Sequence, residues 1–120
     1  MNWFYKTSQT DGGVRIWLDD ERPMPAHFNV HCKTAPEAIS LLQQGNVVAI
    51  SLDHDLGLGE GIGNGYDVAK LIEEGAAQGT LPPIRLLTLH TANPIGRQRM
   101  AMALQNAKRY WAQNQQQQGQ

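Results

Sequence analysis

Asp19-Asp20-Glu21 follows the apolar run Val14–Leu18, and Asp53-His54-Asp55 follows the apolar run Val47–Leu52. A third apolar run, Ile84–Leu89, ends at His90. If these runs are strands of one parallel sheet, several carboxylates and two imidazoles gather beyond their carboxyl ends. Open α/β sheets bind ligands there. Clustered carboxylates repel one another, and at least one pKa rises unless a cation neutralises them. Magnesium meets that need, because it is a hard ion that prefers oxygen ligands and keeps several waters. Asp19 or Asp20 with Asp53 forms a natural pair of direct ligands, and a backbone carbonyl near Asp55 could add a third. Another divalent metal could take the same place.

His54 and His90 are the candidates for proton transfer, since imidazole titrates near neutrality. Carboxylates beside both rings would orient them and raise their basicity. Zinc held by the two histidines is a competing reading, but their spacing is not that of a compact zinc motif. Arg22 stands close to the acidic pair, either as an anion clamp or as a salt-bridge partner that holds the loop. Thr88, Thr91 and Asn93 could donate hydrogen bonds to a phosphate, as could the start of a helix near Pro94. The glycine-rich stretch Gly57–Gly65 does not match a phosphate-binding loop ending in lysine and a hydroxyl residue. It reads as a flap or as a source of backbone donors. His27 and His31 read as structural. Any one of these acids alone reads as readily as a loop acid or a helix cap. The joint placement is what points to a site.

The elements needed to position these groups are legible. Val14–Leu18 and Val47–Leu52 are apolar without alternation, as strands covered on both faces are. Phe28–Cys32 is a short, weakly patterned strand. Thr34 with Glu37 three residues on forms a capping box, and Ala35, Ala38, Ile39 and Leu42 follow helical spacing. Gly45 stops that helix. Asn64 caps a second helix carrying Tyr66, Val68, Ala69, Leu71 and Ile72, which Gly75 is expected to end. Asn93 before Pro94 opens a third, with Met100, Leu104, Ala107 and Trp111 on its inner stripe. Its expected end lies near Trp111. Alternation of strand and helix implies a parallel α/β layered sandwich. One link is awkward. The nine residues between Leu18 and Phe28 include two prolines, and a parallel crossover normally needs about a dozen residues. Either the first crossover helix is reduced to a turn, or the second strand is misplaced.

At 120 residues the chain has room for one domain. The expected layout is an arm or added strand over 1–13, bearing Trp3-Phe4-Tyr5, a single domain over 14–112, and a disordered glutamine-rich tail over 113–120. A formal net charge of -1 predicts no broad attraction to nucleic acid, although it leaves room for an RNA end in a small site. The basic residues Arg97, Arg99, Lys108 and Arg109 read as the solvent face of a helix. The lone Cys32 rules out an internal disulfide and fits a reducing, cytoplasmic setting. No run is long and apolar enough to span a membrane, and no signal peptide is recognisable.

Trp17-Leu18-Asp19-Asp20-Glu21-Arg22-Pro23, Ser51-Leu52-Asp53-His54-Asp55-Leu56-Gly57 and His90-Thr91-Ala92-Asn93-Pro94 together resemble the divergent receiver domains called cyclic-phosphate-processing receivers. The resemblance spans about residues 14–105. It implies a flavodoxin-like, receiver-type layered sandwich with a short, mostly parallel sheet and a reduced first crossover. Asp19 and Asp20 correspond to the acidic pair of phosphorelay receivers, Asp53 to their phosphoacceptor, and Thr88 or Thr91 to their hydroxyl residue. The usual fifth strand with its lysine has no counterpart here, and Lys108 cannot take that role. His54 and His90 have no usual counterpart in phosphorelay receivers. The implied function is a metal-assisted phosphoesterase acting on a cyclic phosphate of a nucleotide or RNA end. In that reading Asp19, Asp20 and Asp53 hold Mg2+, and His54, His90 and Asp55 are catalytic. Arg22, Thr91 and Asn93 orient the phosphate. The alternative is a non-enzymatic receiver-like signalling or protein-binding module, with a protein partner or a homodimer.

Overall fold

The computed structural model describes residues 12–118, with side chains through Gln115. The expected N-terminal arm, including Trp3-Phe4-Tyr5, lies outside the described residues. The elements run β1 (Val14–Leu18), β2 (Val30–Cys32), α1 (Ala35–Gln44), β3 (Val47–Leu52), α2 (Gly65–Gln78), β4 (Leu86–Leu89) and α3 (Pro94–Gln118). Among the described residues the sheet has four strands in the order β2-β1-β3-β4, all pairs parallel. This is a flavodoxin-like α/β sandwich with a short sheet and a reduced first crossover. No fifth strand is present among the described residues.

Connection handedness sets the layers. The crossovers β2-α1-β3 and β3-α2-β4 both move in the same direction across the sheet. Right-handedness therefore places α1 and α2 on one face. α3 joins them, and Leu42, Val68, Ile72, Met100, Leu104 and Trp111 share one core with Ile16, Leu18, Ile50 and Leu52 of the sheet. Truncating a buried leucine such as Leu42 to alanine costs about 2–5 kcal/mol in such a setting. The β1–β2 link moves the opposite way, so it lies on the other face. It contains no helix, and Phe28 and Met24 from this link pack on Trp17 and Ala49 as a second, smaller cluster. The awkward spacing is thus resolved in favour of a crossover without a helix.

The local signals hold where the chemistry is specific. Thr34 and Glu37 close both halves of a capping box on α1, and Asn64 with Asp67 does the same on α2. Four boundaries differ from expectation. β2 begins at Val30 instead of Phe28, whose N–H donates to the Pro25 carbonyl within the link. α2 runs past Gly75 and ends at the left-handed Gly79. Gly75 is buried, and a Cβ there would come within 2.8 Å of the Leu81 side chain, so it is a packing glycine and no stop. β4 begins at Leu86 instead of Ile84, shortly after Pro82-Pro83, which cannot donate to a ladder. α3 continues to Gln118, through most of the segment expected to be disordered. Glutamine is a good helix former, and no glycine or proline interrupts the run. Asn114 ties the extension to α2 by donating to the Ala76 carbonyl at 3.0 Å.

Candidate active site

Parallel register brings the three strand ends side by side. Leu18 pairs with Leu52 and Leu52 with Leu89, so Asp19, Asp53 and His90 leave the sheet at one level. Backbone bonds lock that edge: Asp53 donates to the Leu18 carbonyl, His90 to the Leu52 carbonyl and Asp19 to the Cys32 carbonyl, each at 3.0 Å. As a result, carboxylate oxygens of Asp19, Asp20 and Asp53 all lie within 4.8 Å of one another. Asp19 is 1% exposed and Asp53 9%. An all-oxygen donor set of this size and charge fits a hard divalent cation.

Asp19 is the most constrained of the three. Its Oδ1 accepts from the backbone N–H groups of Glu21 at 2.7 Å and Arg22 at 2.8 Å. Its Oδ2 accepts from His90 Nε2 at 3.0 Å, with Arg22 Nη1 at 3.5 Å. The Asp19 carbonyl bonds to His31 Nε2 at 2.7 Å, which gives that histidine its structural role. Burial raises the Asp19 pKa, but the donors of Arg22, Glu21 and His90 outweigh it and hold the group below its ordinary value. The carboxyl is therefore ionised at neutral pH.

His90 sits deeper than the sequence suggests. Its Nδ1 meets Ser51 Oγ at 2.7 Å, and its ring stacks on Trp17 at 3.7 Å between centroids with 7° between planes. Burial pushes its pKa down, against the pull of the Asp19 and Asp53 carboxylates. Trp17 is held in turn by its Nε1, which donates to the Arg22 carbonyl. Arg22 donates back to the His90 carbonyl through Nη1, so the loop-holding role foreseen for it is visible, while its side chain stays 47% exposed.

His54 forms a second cluster. Its backbone N–H donates to Asp53 Oδ1 at 2.8 Å, and its Nδ1 lies 2.9 Å from Asp55 Oδ1. Asn93 caps α3 by accepting from Gly96 N–H at 2.9 Å, and its Nδ2 reaches Asp55 Oδ2 at 3.3 Å. Thr91 Oγ1 accepts from the Asn93 N–H, which leaves its hydroxyl proton free to donate elsewhere. The bond with His54, and then Asn93, lower the Asp55 pKa. Asp55 is therefore a partner of His54 on an exposed rim, outside the three-carboxylate cluster.

Sequence patterns assign no individual role to Ser51, Trp17 or Gly96. Ser51 had one visible signal, a hydroxyl inside an otherwise apolar strand. Gly96 had none: a Cβ there would lie 2.5 Å from the His54 ring. Gly65 is tighter still, since a Cβ there would run into the Asp53 carbonyl oxygen.

Residues 14–106 match the model of a family described as the cyclic-phosphate processing receiver domain. No curated protein and no solved structure matches the chain. No helix among the described residues is long and apolar enough to cross a membrane.

Proposed function

We propose, from the premise that this chain belongs to the cyclic-phosphate processing receiver family, that it is a magnesium-dependent hydrolase opening a cyclic phosphate carried by a nucleotide or an RNA end. A metal-assisted hydrolytic role follows from the family together with the acidic cluster. The observation that carries the finer reading is the convergence of Asp19, Asp20 and Asp53 directly beside the His54–Asp55–Asn93 group.

Asp19, Asp20 and Asp53 would hold the cation, which when bound polarises a phosphoryl oxygen and lowers the pKa of its water. Water attacks phosphorus and gives its proton to a base, the bond from phosphorus to one ring oxygen breaks, and that oxygen takes the proton from the protonated base. Both histidines were candidates for moving protons, and the geometry favours His54. With Nδ1–H donated to Asp55, Nε2 is left as the nitrogen that accepts the proton. Arg22 has donors beyond the one given to the His90 carbonyl, and these suit a phosphoryl oxygen. The Thr91 hydroxyl and the α3 N-terminus capped by Asn93 favour the same charge.

The test is turnover of 2′,3′-cyclic nucleotides by the purified protein with MgCl2. His54→Ala should lower kcat by about 10²–10⁴-fold, the usual worth of a positioned acid or base. Absence of turnover with any of Mg2+, Mn2+ or Co2+, in protein shown to be folded, refutes the reading. Stable labelling of Asp53 by acetyl phosphate would favour the signalling alternative instead.

A further inference from the structure

We propose that His90 is a positioning residue: Ser51 fixes its tautomer and Trp17 its plane, so that Nε2–H holds the Asp19 carboxylate in the orientation the cation site requires. The inference rests on the metal-site reading above but not on the identity of the substrate.

The argument is one of donors and acceptors. A carboxylate offers about four lone-pair sites. Two on Asp19 Oδ1 are taken by backbone N–H groups and one on Oδ2 by His90. One acceptor site on Oδ2 remains, and a cation or its water would share that oxygen with Arg22 Nη1, which approaches it only to 3.5 Å. The lone pair of an unprotonated Nε2 would face Oδ2 at 3.0 Å, so that nitrogen must carry the proton. In the neutral ring Nδ1 is then the acceptor, and the Ser51 hydroxyl, 2.7 Å away, is its donor. Ser51 is 3% exposed, so it cannot exchange this duty for a bond to bulk water. Stacking on Trp17 at 3.7 Å prevents the ring from swinging out of the line from Ser51 to Asp19.

Both ring nitrogens are therefore committed within the protein, and neither is left to shuttle protons to a substrate. The chain Ser51–His90–Asp19 contains the same three residue types as a hydrolase triad, but its serine is buried and its carboxylate belongs to the cation cluster. It acts in the sense in which partners behind a metal ligand orient that ligand, where losing one typically costs 10- to 100-fold in affinity.

Two measurements test this. Nitrogen-15 NMR of the wild-type protein at neutral pH should show His90 protonated at Nε2 and unprotonated at Nδ1. Magnesium-dependent thermal stabilisation should then be titrated with MgCl2 for three variants. His90→Ala should raise the half-maximal magnesium concentration about tenfold. His90→Gln should restore most of the loss, because its amide nitrogen can reach the place of Nε2. Ser51→Ala should raise it by a smaller factor, since the tautomer is no longer fixed. An Nδ1-protonated ring, or a His90→Gln variant as impaired as His90→Ala, overturns the assignment. Failure of cyclic-phosphate turnover with these results intact refutes the proposed substrate and leaves the positioning role standing.

Discussion

Replacing Asp53 by asparagine should stabilise the metal-free protein and abolish most of its stabilisation by magnesium. Carboxylate oxygens of Asp19, Asp20 and Asp53 lie within 4.8 Å of one another. Two unit charges at that separation repel by about 0.9 kcal/mol at the dielectric of water and about 3.5 kcal/mol at an effective dielectric near 20. Asp20 is only partly buried, so its pair with Asp53 belongs near the lower value, where solvent screens it. Asp19 is buried, so its pair lies higher. Against this relief stands a weaker acceptor for the His54 N–H, which the asparagine Oδ1 keeps at the cost of about 1 kcal/mol of charge assistance. The net gain is about 1–2 kcal/mol, or about 4–10 °C in melting temperature for a domain of this size. Thermal unfolding in EDTA reads it directly. In magnesium at 100 times its Kd, the wild type should gain about 2.7 kcal/mol and the variant much less. The order of stability should therefore invert between the two conditions. A variant less stable than wild type in EDTA, or one that gains as much from magnesium, would refute the reasoning.

Three further outcomes follow from particular contacts. Gly96→Ala should cost activity more than stability: alanine favours a helix by about 1 kcal/mol, but its Cβ would lie 2.5 Å from the His54 ring and displace it; a variant with unchanged kcat would show that the ring is not held there for catalysis. Cys32 is buried, and burial, then the Glu37 charge, push its thiol up to about 11, so iodoacetamide at pH 8 should label it only on unfolding. Glu37 has a pKa below its ordinary value, chiefly through the Lys33 N–H, with further bonds from Thr34. Its charge therefore stabilises the fold above the unfolded pKa near 4.5, and that contribution is lost as pH falls through the folded value. Denaturant unfolding of Glu37→Gln should show a deficit of about 0.5 kcal/mol at pH 7 that closes in acid.

The sequence determined on its own whatever depends on near neighbours. The capping box of Thr34 with Glu37 and the helix cap at Asn64 depend on residues close in the chain, and both are found. The three strand ends were legible because continuous apolar runs stop at charge, and parallel pairing then leaves little freedom in where Asp19, Asp20 and Asp53 meet. The motifs around those ends also carried the family resemblance, which the match over residues 14–106 bears out. What remained undetermined concerns contacts between distant segments. Nothing local distinguishes Gly75, which packs on Leu81, from Gly79, which ends α2. His54 and His90 look alike in sequence, each beside the acids or following an apolar run. Tertiary packing separates them: one lies against Gly96 with Asp55 on its ring nitrogen, while the other is stacked on Trp17 between Ser51 and Asp19. Ser51 and His90 are 39 residues apart, and His90 and Asp19 are 71. Local patterning does not encode bonds across such separations, so the residue types implied the chemistry and only the fold set the surroundings of the two histidines apart.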